Sequence, residues 1–182
     1  MTTMIMKGNR KTKYADEIAT GAILTKDGSI RVERIRVHSD NRERIRFGRW
    51  THTITRGALV ITERDLLAAS RVAVSNDVFT PEFSQTLKAE LDPAIKTATT
   101  VLRSTKYADL LAQGEAQCNH GTARIERLRR RNGEYLRIGW WITKPKNRPL
   151  DIEEHELLAL MKDAISNRVF TPEFQRALQT TL

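Results

Sequence analysis

Cysteine is almost absent from this sequence: Cys118 is the only one. A single cysteine excludes a disulfide scaffold. No stretch approaches the ~18 consecutive apolar residues of a membrane-spanning helix. The N-terminal MTTMIMKGNRKTK is basic, but it lacks the ~7–15-residue apolar stretch of a secretory signal. These features point to a reducing cytoplasm, away from membranes. Aromatic residues are scarce, at 6%, so any stacking surface is small. Carboxylates are outnumbered, with 22 Asp+Glu against 31 Lys+Arg and a formal net charge of +9. Apolar material is not lacking. Hydrophobic residues are 40% of the 182 and charged residues 29%, which excludes a disordered polybasic tail. The positive excess favours an acidic polymer as partner.

The chain is internally repeated. Thr12-Lys-Tyr-Ala-Asp16 recurs as Thr105-Lys-Tyr-Ala-Asp109. Gly28-Ser-Ile-Arg-Val-Glu-Arg-Ile-Arg36 recurs as Gly121-Thr-Ala-Arg-Ile-Glu-Arg-Leu-Arg129. Ile45-Arg-Phe-Gly-Arg-Trp50 recurs as Leu136-Arg-Ile-Gly-Trp-Trp141, and Ser75–Phe83 as Ser166–Phe174. One two-residue gap aligns roughly 80 positions, about 40% of them identical. Residues 1–91 then form a first repeat with a basic N-terminal tail, 92–104 a connector, and 105–182 a second repeat. Two like copies on a short connector are expected to pack as a pseudo-twofold dimer.

Each repeat reads as four strands followed by two helices. Ile18–Thr25 and Leu111–Cys118 precede glycine turns at Gly28 and Gly121. In Ser29–His38 the apolar positions change phase at Glu33-Arg34, and the second copy changes phase at the same place, which suggests a β-bulge. Arg42–Thr53 alternates, with Ile45 and Phe47 on one side and Arg42, Arg44, Arg46, Gly48 and Trp50 on the other. Tyr135, Arg137, Gly139 and Trp141 take the outward places in the second copy. Ala58–Ile61 and Pro149–Ile152 are short fourth strands. Thr62-x-x-Asp65 and Asp151-x-x-Glu154 read as capping boxes opening amphipathic helices. Thr80-Pro81 and Thr171-Pro172 each start a short second helix. The expected class is therefore α+β, each repeat a twisted four-stranded antiparallel sheet with one face toward solvent.

The positive charge is concentrated on the strands. Gly28–Arg56 carries eight arginines against three carboxylates, and Gly121–Arg148 nine cations against two. Together these stretches exceed the net charge of the whole chain. A basic face of this kind is the footprint of nucleic-acid binding. Arginine offers a planar fork for phosphate and a plane for a base. The candidate nucleic-acid-binding residues are Arg31, Arg36, Arg44, Arg46 and Trp50 in the first repeat. Arg124, Arg129, Tyr135, Arg137 and Trp141 are those of the second. Arginines beside outward aromatics make a stacking platform for single strands. The competing reading packs the tryptophans under a loop or across the interface between repeats.

Other chemistry finds little support. Cys118-x-His120 is a single pair without the second pair a zinc site needs. Asp16 and Asp109 fit structural hydrogen bonds better than catalysis. There is no glycine-rich phosphate loop, nucleophile elbow or paired-carboxylate motif. The Val-Phe-Thr-Pro-Glu-Phe blocks suit packing between helices. No catalytic group, metal or cofactor is expected.

Four strands and a helix with basic strands resemble the positive cofactor four family of transcriptional coactivators. Thr55-Arg-Gly-Ala-Leu-Val-Ile-Thr-Glu-Arg-Asp-Leu-Leu67 carries the likeness most closely. Lys146–Leu158 fits less well, with Pro149 where the first copy has Ala58. The likeness spans roughly 21–76 and 114–167 and omits the TKYAD and TPEF blocks. It implies dimerisation through helices and binding of single-stranded or melted DNA on the sheet side. It also implies relatives in bacteria and bacteriophages, and so a host cytoplasm or nucleoid for a viral member. By strand position it points to Arg31, Arg44, Arg46, Trp50, Arg124, Arg137 and Trp141.

The leading expectation is a non-enzymatic protein that binds single-stranded DNA, in replication, recombination or transcription. RNA suits the same residues. Further self-association of the pseudo-dimer stays open. The alternative is a transcription regulator docking mainly on RNA polymerase, a replication protein or another protein. A duplex binder lacks a recognition helix, because the basic residues lie on strands.

Overall fold

The computed structural model describes residues 10–143 and 145–182. The basic tail over 1–9 and Lys144, counted above among the strand cations, lie outside the described residues. The first repeat contributes β1 (Ala15–Thr25), β2 (Gly28–Val37), β3 (Glu43–Trp50), β4 (Leu59–Ile61), α1 (Glu63–Ser75) and α2 (Pro81–Glu90). A two-residue β5 (Arg103–Ser104) ends the connector. The second repeat contributes β6 (Asp109–Cys118), β7 (Gly121–Arg130), β8 (Gly133–Trp141), β9 (Leu150–Ile152), α3 (Glu154–Ser166) and α4 (Pro172–Thr181). The class is α+β, with two antiparallel sheets and four helices.

The sheets do not follow the repeat boundary. Their strand orders are β1-β2-β3-β9 and β4-β8-β7-β6-β5. Each fourth strand leaves its own repeat: Leu59 pairs with Ile138, and Leu150 with Phe47. The expectation of a self-contained four-stranded sheet in each repeat is corrected here. Alternation alone cannot say which edge a three-residue strand will join. The connector is tied to the second repeat, Ala98 N–H donating to the Arg168 carbonyl at 3.0 Å.

The phase change in the second strand has another cause than a bulge there. β2 pairs with β3 without interruption from Ser29 to Arg36. The register shift lies on the neighbouring strand, between Glu17 and Ala19, and recurs between Leu110 and Ala112. Ile35 and Val37 occupy the outer face, where they bury against Ala15. Ile30, Val32, Ile45 and Phe47 face inward and join Ile125, Leu136, Ile138 and Trp140 in one core shared by both repeats.

Thr62 caps α1 as expected, its hydroxyl accepting from the Asp65 N–H at 3.2 Å. The second capping box is shifted by two residues: Glu153 and Glu156 form it, and Asp151 lies in β9. Thr80 and Thr171 cap the proline-led helices, accepting from the N–H of Phe83 and Phe174. These prolines sit where a missing N–H is harmless.

Helix and sheet meet at glycines. A methyl on Gly21 would overlap the backbone of Ala73 in α1, and one on Gly114 the backbone of Ala164 in α3. The obstacle is backbone, so no rotamer change relieves it. Gly21→Ala is therefore expected to cost about 2–3 kcal/mol through overpacking, read as a lower midpoint in urea with an unchanged slope. An unshifted midpoint would mean that the helix stands farther from the strand.

Candidate nucleic-acid interface

Pairing places Arg31, Arg44, Arg46, Trp50, Arg124, Tyr135, Arg137 and Trp141 on the outer faces of the two sheets, and Arg36 and Arg129 on the opposite, helix-facing side. Ser29, Arg31, Glu33 and Ile35 oppose Trp50, Gly48, Arg46 and Arg44. Thr122, Arg124, Glu126 and Leu128 oppose Trp141, Gly139, Arg137 and Tyr135. Cross-strand neighbours share a face. The repeat therefore builds the same constellation twice: two arginines, a glutamate and a tryptophan.

The tryptophans are not open platforms. Trp50 is 6% and Trp141 3% exposed. Guanidinium groups lie over them instead. Arg31 and Arg46 stand 4.9 and 5.4 Å from the Trp50 ring centre, and Arg124 and Arg137 stand 5.8 and 5.4 Å from that of Trp141. A cation over an indole face is attracted by the ring quadrupole. The outward alternation was legible, but it cannot show that long arginine stems fold down over an aromatic neighbour. The indoles thus hold arginines in place.

A buried carboxylate underlies each cluster. Glu33 accepts from Arg46 Nε at 2.8 Å, and Glu126 from Arg137 Nε at 2.5 Å. Burial pushes the Glu33 carboxyl above its ordinary range, and Arg46 beside it opposes that shift. Arg46 is itself buried, so it serves the sheet as a paired cation. Arg137 is half-buried, Arg31 and Arg124 are part-exposed, and Tyr135 is half-buried with Arg130 at 5.4 Å from its ring. Arg36 and Arg129 reach solvent, paired with Glu43 and Glu134. Arg36 holds the Glu43 carboxyl below its ordinary range.

Arg44 departs furthest from its expected role as an open phosphate contact. It is buried beside Asp40, Asp151 at 3.6 Å, and the Tyr14 hydroxyl at 3.3 Å. His120 of the other repeat approaches it at 3.1 Å. Arg44 joins the two halves, because Asp151 belongs to β9.

The Tyr14 hydroxyl donates to Asp151. Burial, then that hydrogen bond, pushes the Tyr14 phenol from 10.0 up to about 12. The fold therefore favours the protonated phenol. Its stabilising contribution is complete below pH 10 and fades as pH rises toward 12. A late-ionising tyrosine is expected in a phenolate absorbance titration, and Tyr14→Phe should remove that step. Its persistence in the variant would assign it elsewhere.

Several functional features escaped the sequence reading. The repeat begins at Arg10 and Arg103, two residues before each TKYAD block. Each block is a threonine-anchored turn: Ala15 N–H donates to the Thr12 hydroxyl at 3.0 Å and Ala108 N–H to that of Thr105 at 3.2 Å. Asp16 and Asp109 accept from or contact His38 and Ser104, in keeping with a structural role. Arg10 stands 3.9 Å above Trp50 and 3.6 Å from both Glu17 and Glu33. Comparing the repeats two residues farther out would have exposed the arginine pair.

A reciprocal clamp was also missed. Glu63, at the start of α1, accepts from the N–H and hydroxyl of Thr171 at 2.9 and 2.8 Å and pairs with Arg127 at 3.3 Å. Glu154, at the start of α3, accepts from the N–H and hydroxyl of Thr80 at 2.9 Å each and pairs with Arg34 at 2.5 Å. Every one of these interactions crosses from one repeat to the other.

Among the described residues no helix is long and apolar enough to cross a membrane. Comparison with protein-family models, curated proteins and solved structures finds no match to this chain.

Proposed function

We propose that this protein binds single-stranded nucleic acid, without catalysing a reaction, on the outer faces of its two sheets, the repeats acting as the halves of a fused dimer. The observation that carries this reading is the part-exposed arginine held over a tryptophan in each repeat, Arg31 over Trp50 and Arg124 over Trp141. Ordered guanidinium forks lose less freedom on meeting phosphate than free ones do. The indole acts beneath the arginines, and phosphate contact outweighs direct stacking on Trp50 and Trp141. Reciprocal exchange of β4 and β9 supports the fused-dimer part. The resemblance to the positive cofactor four family, with its binding of melted DNA, belongs to the same reading.

The test is fluorescence anisotropy of a labelled single strand of ~20 nucleotides, which spans the usual site sizes, beside the same sequence as duplex. Tighter single-strand binding that falls linearly with log salt is expected. Arg31→Ala with Arg124→Ala should lower that slope by about 0.7 for each phosphate left without its arginine. These residues suit the test because they are part-exposed on the outer faces, whereas removing Arg46 would strand the buried Glu33. Equal weak binding to both forms would reject the proposal.

A further inference from the structure

The repeats are unequal at one corner. In the second repeat a cavity of about 340 Å³ opens on the outer face, where the TKYAD turn meets β6 and β7. Arg103, Lys106, Arg130 and Arg137 line it, and no carboxylate does. Arg137 is already paired with Glu126. Among the described residues, Arg103, Lys106 and Arg130 make no ion pair. Buried Leu110 and Leu128 form the floor. Tyr107 stands beside it, 74% exposed.

The first repeat closes the same corner with its own residues. Glu17 stands where the second has Leu110, and Val37 where it has Arg130. Arg10, the counterpart of Arg103, is held by Glu17 and Glu33. Ala15, Ile35 and Val37 fill the space with apolar side chains. Tyr14, the counterpart of Tyr107, is tied to Asp151. One corner is neutralised and filled, whereas its mate keeps three unpaired cations around an apolar floor. Like charges held close repel unless an anion joins them. A bare anion would leave the floor and the tyrosine ring without a partner, whereas a nucleotide offers a phosphate and a planar base together.

We infer that the second-repeat cavity seats one nucleotide of a single strand, its phosphate among Arg103, Lys106 and Arg130 and its base against Tyr107 and the leucine floor. This inference rests on the single-strand reading and makes the second repeat the stronger half of the interface. The full chain, labelled with nitrogen-15, is titrated with the dinucleoside monophosphate dTpdT, with thymidine and with inorganic phosphate. Amide shifts confined to 103–110 and 128–131 are expected with dTpdT, and much weaker ones with either fragment. Equal shifts from phosphate alone, or none from dTpdT, overturn the inference.

Tyr107→Ala, at an exposed position, is expected to weaken binding of the ~20-nucleotide strand by about fivefold or more, the scale of a single base stacked on an aromatic ring. Leu110→Glu, which installs the carboxylate of the first repeat, should do the same. Tyr14→Phe should leave affinity within about twofold, because that ring is engaged elsewhere. Unchanged affinity in Tyr107→Ala counts against the site even where Leu110→Glu fails to fold. Local shifts with dTpdT but no tight strand binding keep the cavity and remove the strand reading. Tight strand binding with the cavity amides undisturbed does the reverse.

Discussion

Glu63→Ala is expected to lower stability by about 3 kcal/mol, because it leaves the buried Arg127 guanidinium short of a partner and orphans two donors of Thr171. Glu134 remains 3.3 Å from Arg127 and offsets part of that loss. For a chain of this size the thermal midpoint should fall by roughly 6–12 °C. The matching change, Glu154→Ala, unclamps Arg34 and Thr80. The pair together approach the whole stability of a typical domain, about 5–15 kcal/mol, so the double variant should be largely unfolded near body temperature. Calorimetry of the single and double variants checks this. A midpoint shift within about 2 °C for Glu63→Ala, at most about 1 kcal/mol, would show that water replaces the clamp. The clamp is a stability device placed at the seam between repeats.

The second large effect concerns that seam. Neither repeat can complete its sheet alone, since β3 needs β9 and β8 needs β4. The helices cross as well, α1 packing on α4 and α2 on α3. Residues 1–91 expressed alone are expected to form a homodimer, exchanging β4 between two chains, or to remain unfolded. Light scattering on a sizing column should give twice the fragment mass or an expanded chain. Mixing 1–91 with 92–182 should restore a compact complex of one each. A folded monomeric 1–91 would sink the exchange and the fused-dimer reading with it. This experiment bears on function too, because the outer faces are only as rigid as the seam behind them.

The candidate interface was partly legible. Period-two alternation placed Arg46 and Arg137 on the outer faces, where the strands hold them beside Arg31 and Arg124. It also put Trp50 and Trp141 there, but could not show that arginine stems lie over both rings. Asp151 read as a helix cap by spacing, yet it is a β9 residue bound by Tyr14 and Arg44. Carboxylates near a helix start look alike in sequence, and only the strand that β9 joins tells them apart. The phase change at Glu33-Arg34 was visible. Its explanation lay on β1, because Ile35 and Val37 form a second small cluster on the outer face.

By itself, the sequence determined the duplication, the order of strands and helices, the proline-led helix starts and the basic character of the strands. These are local properties, set by side-chain periodicity, cap chemistry and charge along the chain. The tertiary structure alone decided that the fourth strands change places, that Glu63 and Glu154 grip the opposite repeat, and that one corner is filled while its mate stays open. Each of these depends on which of two nearly identical partners a segment meets. A duplicated sequence presents both partners with almost the same pattern, so the choice rests on packing between repeats and on single exchanges such as Glu17 for Leu110.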